Sequence, residues 1–244
     1  MIFTVDIHTH ILPGVDDGAE NFNEALEMLR IAKTNGTTDV VLTPHYLVRD
    51  SRSDRLTKTE IISRFNTFKE SATAQCPGIN LYLGAETFAV SNIEDVLDDD
   101  SLITVNNTNY VLLEFGFNDF VPRALKITEV LSQNGYIPII AHPERYTFIQ
   151  RNPRDIVKFL EQGAILQTNV CSLAGYNGSL AQDVALSFLE NGLVSVISSD
   201  AHSTYQRTPD LSEAYSFISA NFAPDYAEDL FYNNPSAIIQ GKRL

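Results

Sequence analysis

Seven short runs of β-branched and apolar residues recur along the chain, separated by longer stretches of mixed polarity. The runs are FTVDI (3–7), DVVLT (39–43), NLYLG (80–84), YVLLE (110–114), IPIIA (137–141), ILQTN (165–169) and VSVIS (194–198). Helical periodicity lies between them, near 22–35, 57–75, 121–134, 154–162, 180–191 and 211–222. Strands that alternate with helices at this spacing predict an α/β fold with mostly parallel strands. Near-continuous apolar runs favour a barrel over an open sheet.

The length and composition of the chain predict its domain number and its cellular compartment. A chain of 244 residues with 44% hydrophobic content can bury a full core, and we expect a single domain over 1–244. The sequence has neither a long apolar run nor a signal-peptide pattern, so we expect a cytoplasmic protein without a membrane span. Cys76 and Cys171 stand far apart and are expected to be reduced thiols.

The net charge of the chain argues against two classes of binding partner. The net charge is −14, and no cluster of lysine or arginine interrupts the acidic background. Nucleic acids and anionic membranes bind to basic surfaces, so neither is expected as the main partner. The acidic run DVLDDD (95–100) is expected to be a solvated helix end or loop.

Polar residues that can bind metal follow most of the predicted strands. All five histidines of the chain fall close to the carboxyl end of such a strand: His8, His10, His45, His142 and His202. Carboxylates occupy similar positions at Asp17, Glu86, Glu114 and Asp200. Because the carboxyl ends of barrel strands meet on one face, we expect these side chains to converge in space.

These nine side chains are too many ligands for one ion and would suit two or three. A histidine or carboxylate alone is more often structural, but independent structural residues would not sort onto one end of a barrel. The set contains no cysteine, which argues against a closed structural zinc site. Imidazole mixed with carboxylate favours Mn, Fe or Zn over Ca or Mg alone.

Two arginines suggest the substrate. Arg145 and Arg207 follow the ligand motifs around His142 and His202 and, with the ions, would make the pocket net positive. Arginine pairs well with phosphate oxygens, so clustered metals beside arginines favour hydrolytic phosphoryl transfer. A cysteine phosphatase needs Cys-x5-Arg, which neither cysteine provides. A metal-dependent amidohydrolase commonly uses a strand-end lysine, which these motifs lack.

The motifs DIHTHILPGVDDG, TPHY, LGAE, LLEF, IAHPER and SDAH occur in this order along the chain. With them the sequence resembles the polymerase-and-histidinol-phosphatase (PHP) superfamily over essentially its whole length. Within it, the chain looks most similar to the manganese-dependent bacterial protein-tyrosine phosphatases of capsule and exopolysaccharide gene clusters. This resemblance implies a distorted (β/α)7 barrel with the metal site at the carboxyl ends of its strands.

The resemblance also implies residue roles. One Mn2+ would be bound by His8, His10, Glu86 and Asp200, and a second by Glu86, Glu114 and His142. A third would be bound by Asp17, His45 and His202, with Arg145 and Arg207 binding phosphate. Fe, Zn, Co or Mg remain alternatives to Mn. The implied substrate is the phosphotyrosine-bearing tail of a partner autokinase, and the implied assembly is a monomer or small homo-oligomer.

Two departures from the family pattern stand out. Tyr46 occupies the place of a second histidine that family members often have, and we expect it near the site, where it would affect substrate fit or metal preference. The family also often extends past the barrel with a basic tail, whereas this sequence ends in Gly-Lys-Arg-Leu.

Several assignments stay open from sequence alone. Asp16 and Glu144 are the candidates for a general acid, and each is equally suited to orienting a ligand. Aromatic side chains near strand ends could pack on a substrate ring or in the core: Phe88, Phe115, Phe117 and Tyr176. The alternative activity is a small-molecule phosphomonoesterase, such as a histidinol phosphatase. A third hypothesis is a silent regulator that only binds a phosphorylated partner.

Overall fold

A computed structural model of the protein describes residues 3–47 and 56–244. Its strands are β1 (Thr4–Thr9), β2 (Thr37–Leu42), β3 (His45–Tyr46), β4 (Asn80–Leu83), β5 (Glu86–Phe88), β6 (Tyr110–Glu114), β7 (Ile137–Ala141), β8 (Ile165–Asn169) and β9 (Val196–Ser198). They form a sheet with the order β1-β2-β4 and a second with the order β3-β5-β6-β7-β8-β9, and every ladder is parallel. The predicted parallel α/β architecture is confirmed.

The two sheets are continuous along the chain, since β3 follows β2 and β5 follows β4 after only two intervening residues. The backbone N of Gly84 donates to the carbonyl of Leu42 at 2.9 Å, and the N of Glu86 donates to that of Pro44 at 3.1 Å. A Cβ at Gly84 would lie 3.1 Å from the side chains of both Thr43 and Val41, so glycine permits this tight break. The strands predicted at 39–43 and 80–84 correspond to β2 and β4, and each is followed, after the break, by a short strand that was not predicted; Glu86 begins the second of these, β5.

The last strand returns to the first and closes the ring. The backbone N of Asp200 donates to the carbonyl of His8 at 2.9 Å, and the N of His10 donates to that of Ala201 at 2.8 Å. An isolated parallel bridge pairs Thr9 with Ala201. The result is a distorted barrel with seven strand positions, in agreement with the sequence prediction.

Helices surround the barrel at the predicted places. They are α1 (Phe22–Thr34), α2 (Lys58–Gln75), α3 (Ile93–Asp98), α4 (Val121–Gln133), α5 (Thr147–Arg151), α6 (Ile156–Glu161), α7 (Val170–Leu173), α8 (Ser179–Glu190), α9 (Ser212–Asn221), α10 (Pro224–Glu228) and α11 (Asn234–Ile239). Short α3, α5, α7, α10 and α11 were not predicted, because four to six residues carry too little periodicity. Among the described residues, no helix is long and apolar enough to cross a bilayer.

Local sequence fixes the helix starts. Thr57 and Glu60 form a reciprocal capping box at the start of α2, in which each side chain accepts from the other residue's backbone N. The side chain of Asn21 accepts hydrogen bonds from the first turn of α1. Apolar helix faces then cover the barrel, where residues such as Leu29 and Leu131 are fully buried.

Tyr46 shows how strand alternation separates core from site. Its neighbour His45 points to the barrel interior, whereas the ring of Tyr46 packs in the apolar cluster under α1 and α2 and is only 4% exposed. Its hydroxyl donates to the carbonyl of Ser101 at 2.8 Å. The expectation that Tyr46 lies at the site is therefore wrong.

Candidate metal centre

The nine side chains singled out in the sequence lie together at the carboxyl ends of the strands. Strand alternation directs His8 and His10 to the same side of β1, where their Nε2 atoms are 3.3 Å apart. Thr9 between them points away and donates its hydroxyl to the carbonyl of Val41 at 2.9 Å. Both imidazoles are fully buried, so two nitrogens converge on one spot inside the barrel.

Glu86 lies at the centre of the cluster. Its Oε1 is 2.8 Å from Nε2 of His142 and 3.3 Å from Nε2 of His8. Its Oε2 is 2.9 Å from Nδ1 of His45 and 3.3 Å from Nε2 of His10. Burial alone would raise the pKa of this carboxyl, but the imidazoles, His8 and His45 foremost, lower it well below its usual range. A buried carboxylate with both oxygens among four imidazoles is suited to bridge two ions.

The two carboxylate oxygens of Asp200 face different groups, one facing two histidines and the other facing two arginines. Its Oδ1 is 3.5 Å from Nε2 of His8 and 3.4 Å from Nε2 of His10. Its Oδ2 is 2.5 Å from Nη2 of Arg207 and 3.3 Å from Nη1 of Arg145. Asp200 adopts a left-handed backbone with φ of 53°, which non-glycine residues rarely hold without a local constraint. One side chain thus joins the buried imidazole cluster to both candidate phosphate-binding arginines.

Asp17 lies on the open side of the cluster. Its Oδ1 is 3.4 Å from Nε2 of His45 and 3.5 Å from Nε2 of His202, and its side chain is 69% exposed. The adjacent imidazoles of His202 and His45 lower the pKa of Asp17. These residues form a site that solvent can reach, as an entering substrate requires.

Glu114 completes the cluster from the end of β6. Its oxygens are 3.7 Å from Nδ1 of His45 and 3.8 Å from Nε2 of His142. Burial and then the nearby charge of Glu86 raise the pKa of Glu114 to about 8. The ionised forms of Glu86 and Glu114 repel each other unless a positive charge lies between the two carboxylates.

The donor atoms form four overlapping groups, each within the span of one ion. The groups are His10, Asp17, His45 and His202; His8, His10 and Asp200; His8, Glu86 and His142; and His45, Glu86 and Glu114. Neighbouring groups share residues, so ions bound there would share ligands. His8, His10 and His45 each fall in two groups, as Glu86 does, so the division between ions is less strict than the resemblance implies.

Unpartnered buried atoms test whether metal ions fit here. Among the described residues, Glu86 Oε2, Asp200 Oδ1 and His202 Nε2 are buried and make no hydrogen bond, although candidate ligand atoms lie close to each of them. Such atoms are costly in a folded protein unless something compensates them. Nitrogen and carboxylate donors without a thiol match divalent Mn, Fe or Zn. The residues present therefore fit a cluster of divalent ions.

Two buried amide side chains hold candidate ligands in place. Gln167 Oε1 lies 2.9 Å from Nδ1 of His8 and accepts from the backbone N of His142 at 3.3 Å. Its Nε2 donates to Oδ1 of Asn169 at 2.8 Å, and Asn169 Nδ2 donates to Oδ2 of Asp200 at 2.6 Å. Gln167 and Asn169 were not among the residues predicted for the site. Their spacing of two residues on a predicted strand, the same as in His-x-His, was the available signal.

Neither candidate general acid faces the open side. Asp16 Oδ2 lies 2.8 Å from Nδ1 of His10 and accepts from the backbone N of His45 at 2.9 Å, so Asp16 orients two candidate ligands. Glu144 is fully buried, and its Oε1 accepts from the backbone N of Asn169 at 3.1 Å. Burial raises the pKa of Glu144 to about 7.

The four aromatic candidates separate into core and surface. Phe115 is 1% exposed and packs against Tyr146, so it belongs to the core. Phe88 is half-buried. Phe117 is 42% exposed, and the guanidinium of Arg145 lies 4.8 Å from its ring centroid. Tyr176 is 84% exposed. Phe117 is therefore the aromatic that lies beside a candidate phosphate-binding residue.

Comparisons with known proteins show the family to which this chain is similar. A sequence model of the family described as capsular polysaccharide synthesis, CpsB/CapC, matches residues 4–240. The tyrosine-protein phosphatase YwqE of Bacillus subtilis (strain 168) is 33% identical over 222 residues, covering 91% of this chain and 86% of YwqE. The tyrosine-protein phosphatase CpsB of Streptococcus pneumoniae is 27% identical over 245 residues, covering 98% and 100%.

Solved structures show the same fold. The chain aligns with a crystal structure at a TM-score of 0.90 and 28% identity. That structure belongs to a study of B. subtilis YwqE and S. pneumoniae CpsB, which are described as unique metal-dependent tyrosine phosphatases. The alignment covers 98% of this chain and 96% of the other. The phosphotriesterase homology protein of Escherichia coli aligns with a TM-score of 0.58 at 13% identity, covering 98% and 100%. This second likeness concerns the fold alone.

Proposed function

The chain belongs to the CpsB/CapC family of capsular polysaccharide synthesis, and we propose that it is a metal-dependent protein-tyrosine phosphatase. The observation that carries the proposal is Asp200, which has one oxygen among the imidazoles and the other on Arg145 and Arg207. A phosphate bound by the arginines would thus lie next to the ion cluster. We propose His8, His10, Asp17, His45, Glu86, Glu114, His142, Asp200 and His202 as the ligands.

The chemistry is hydrolysis without a phosphorylated enzyme. Divalent ions bound in the cluster would activate water for attack on phosphorus and neutralise charge on the phosphoryl oxygens. Arg145 and Arg207 would bind the remaining oxygens and stabilise the transition-state charge. Burial raises the pKa of Cys171, so this thiol is not an activated nucleophile. The bond between phosphorus and the tyrosyl oxygen breaks as the water oxygen bonds to phosphorus.

Phosphotyrosine suits this site better than an alkyl phosphate. A phenol has a pKa of about 10 and leaves with less help from a general acid than an alkanol. Asp16 and Glu144 are both buried and occupied with ligand or backbone contacts, so neither is placed to protonate a leaving group. The half-exposed ring of Phe117 beside Arg145 offers a surface for the tyrosyl ring.

The finer assignments follow from the family and the donor set. Mn2+ is the proposed ion, with Fe, Zn, Co and Mg as alternatives. The proposed substrate is a phosphotyrosine-bearing autokinase tail whose dephosphorylation regulates capsule or exopolysaccharide synthesis. We propose a cytoplasmic single domain that acts as a monomer or small homo-oligomer.

Metal add-back with two substrates tests this function. The purified protein would be stripped with chelator, supplied with Mn, Zn, Mg or Fe, and assayed on a phosphotyrosine peptide and on histidinol phosphate. We expect Mn-dependent release of phosphate from the peptide and little from histidinol phosphate. Turnover confined to histidinol phosphate would establish the metabolic phosphatase instead. Peptide binding without hydrolysis under every metal would point to a silent regulator.

A further inference from the structure

A groove of about 720 Å³ opens beside Arg207. Residues 170–177, at and after α7, form one wall, and residues 205–213, leading into α9, form the other. Since Arg207 also contacts Asp200 at 2.5 Å, the groove starts at the candidate phosphate-binding residue. A chain whose phosphotyrosine lay at the metal centre could place neighbouring residues in this groove.

The first wall is held by the end of α7. Gly175 has a φ of +83°, which lets the chain reverse after the helix, and the backbone N of Tyr176 donates to the carbonyl of Cys171 at 2.9 Å. The side chain of Asn177 donates to Oγ of Ser172 at 3.0 Å. These bonds fix the loop that presents Tyr176 to the groove.

The second wall is tied directly to the metal centre. The backbone N of His202 donates to the carbonyl of Arg207 at 2.9 Å and closes a tight loop. Within it, Ser203 Oγ accepts from the backbone N of Gln206 at 2.9 Å and of Tyr205 at 3.4 Å. Tyr205 is therefore displayed by a loop whose two ends are a candidate ligand and a candidate phosphate-binding residue.

Aromatic and acidic side chains line the groove. Tyr176 is 84% exposed and Tyr205 is 78% exposed, which leaves two aromatic faces free at the groove. Asp210 and Glu213 add two carboxylates at the start of α9. Arg207 is the cation among the described lining residues, and its guanidinium is turned onto Asp200. The groove thus combines aromatic rings with acidic groups that lack a cationic partner among the ion pairs of the described residues.

We propose that this groove is a specificity subsite for a lysine or arginine side chain close to the phosphotyrosine in the substrate. The proposal rests on the tyrosine phosphatase function. The aliphatic stem of such a residue would lie along the rings of Tyr176 and Tyr205, with a cation–π contribution, while its charged head meets Asp210 and Glu213. Acidic neighbours of the phosphotyrosine would be disfavoured by the same carboxylates.

Matched peptides test the subsite. Phosphotyrosine peptides would carry lysine, glutamine or glutamate at single positions on either side of the phosphotyrosine, and kcat/KM would be measured with the Mn-loaded protein at low and high salt. Free phosphotyrosine is assayed in parallel. At one or more positions we expect lysine to exceed glutamate by about 5-fold at low salt, with the ratio shrinking at high salt, as for exposed ion pairs.

Charge reversal identifies the residues responsible. Glu213→Lys should invert the ratio of lysine to glutamate peptides. Glu190→Lys, the same change at an exposed position at the end of α8, should leave it unchanged. Tyr205→Ala should reduce the ratio and Tyr205→Phe should retain it.

The outcomes separate the two proposals. Equal kcat/KM for lysine and glutamate peptides at every position, while free phosphotyrosine is hydrolysed, would overturn the subsite and leave the phosphatase function intact. This comparison uses the unaltered protein, so it decides even where a variant fails to fold. Hydrolysis of neither the peptides nor free phosphotyrosine would overturn the function and the subsite together.

Discussion

Gln167 Oε1 lies 2.9 Å from Nδ1 of His8 and 3.3 Å from the backbone N of His142, and this arrangement fixes the chemistry of His8. Because a backbone N can only donate, the atom of Gln167 that faces it must be the amide oxygen. The same oxygen then accepts a hydrogen bond from Nδ1–H of His8, which leaves the lone pair on Nε2, the atom that faces Glu86 and Asp200. The amide thereby selects the metal-binding tautomer.

Replacement of Gln167 should therefore weaken metal binding. Gln167→Leu removes the acceptor for His8, and losses of such orienting contacts typically reduce metal affinity by about 10- to 100-fold. Mn2+ affinity would be measured by competition with a chelating dye. Gln133→Leu, an exposed position on α4, is the matched control. Unchanged Mn2+ affinity in folded Gln167→Leu protein would argue against the orienting role.

Replacement of Arg145 or Arg207 should weaken phosphate binding without changing the metal content of the protein. Each of the variants Arg145→Ala and Arg207→Ala removes the charge-assisted hydrogen bonds of one arginine, which together contribute about 3 kcal/mol to phosphate binding. The inhibition constant for inorganic phosphate should therefore rise about 100-fold in each variant. The bound Mn2+ per chain should stay constant. Arg30→Ala, an exposed arginine on α1 paired with Glu27, serves as the control. An unchanged inhibition constant in both variants would contradict the phosphate-binding assignment.

Gly18 should be intolerant of any side chain. A Cβ at this position would lie 2.0 Å from the carbonyl oxygen of His10, so the loop that carries Asp16 and Asp17 would have to move. Gly18→Ala should lower the midpoint of thermal unfolding and weaken Mn2+ binding together. At Gly116 the added Cβ would meet ordinary contacts of 3.8 Å or more, which makes Gly116→Ala the control. Equal unfolding midpoints for the two variants would refute this close approach.

Tyr46 should matter for stability and not for metal. Tyr46→Phe loses the hydrogen bond to Ser101 and should cost about 1 kcal/mol of unfolding free energy. Tyr46→His places a smaller polar ring in an apolar cluster and should cost about 2–4 kcal/mol. Denaturant unfolding measures both costs, and elemental analysis measures bound Mn2+. An additional ion bound by the Tyr46→His variant would show that this position does face the centre.

The sequence predicts the site better than its surroundings. Parallel strands bring their carboxyl ends together, so spacing alone groups His8, Glu86 and Asp200. The break at Gly84 is hidden, since it arises from contact with side chains of the neighbouring strand. The role of Gln167 is equally hidden, because an amide on a strand carries no signal until its partners are known.

Burial sets a second limit on prediction. Phe115 and Phe117 are two residues apart after the same strand, yet the first is in the core and the second is beside Arg145. Aromatic residues serve either purpose, and packing of distant elements such as α6 decides between them. Similarly, Tyr46 follows a candidate ligand directly, but its side chain takes the opposite face of the strand.

The number of metal ions bound per chain tests whether Glu86 bridges two ions in the catalytic cluster. Metal-free protein would be titrated with Mn2+ while bound ions per chain and phosphate release from a phosphotyrosine peptide are recorded together, for the unaltered protein and for Glu86→Gln. We predict that hydrolysis begins only when at least two ions per chain are bound, and that Glu86→Gln loses both the second ion and the activity. Full hydrolysis with one ion or none, or an unimpaired Glu86→Gln variant, would contradict a cluster bridged by Glu86.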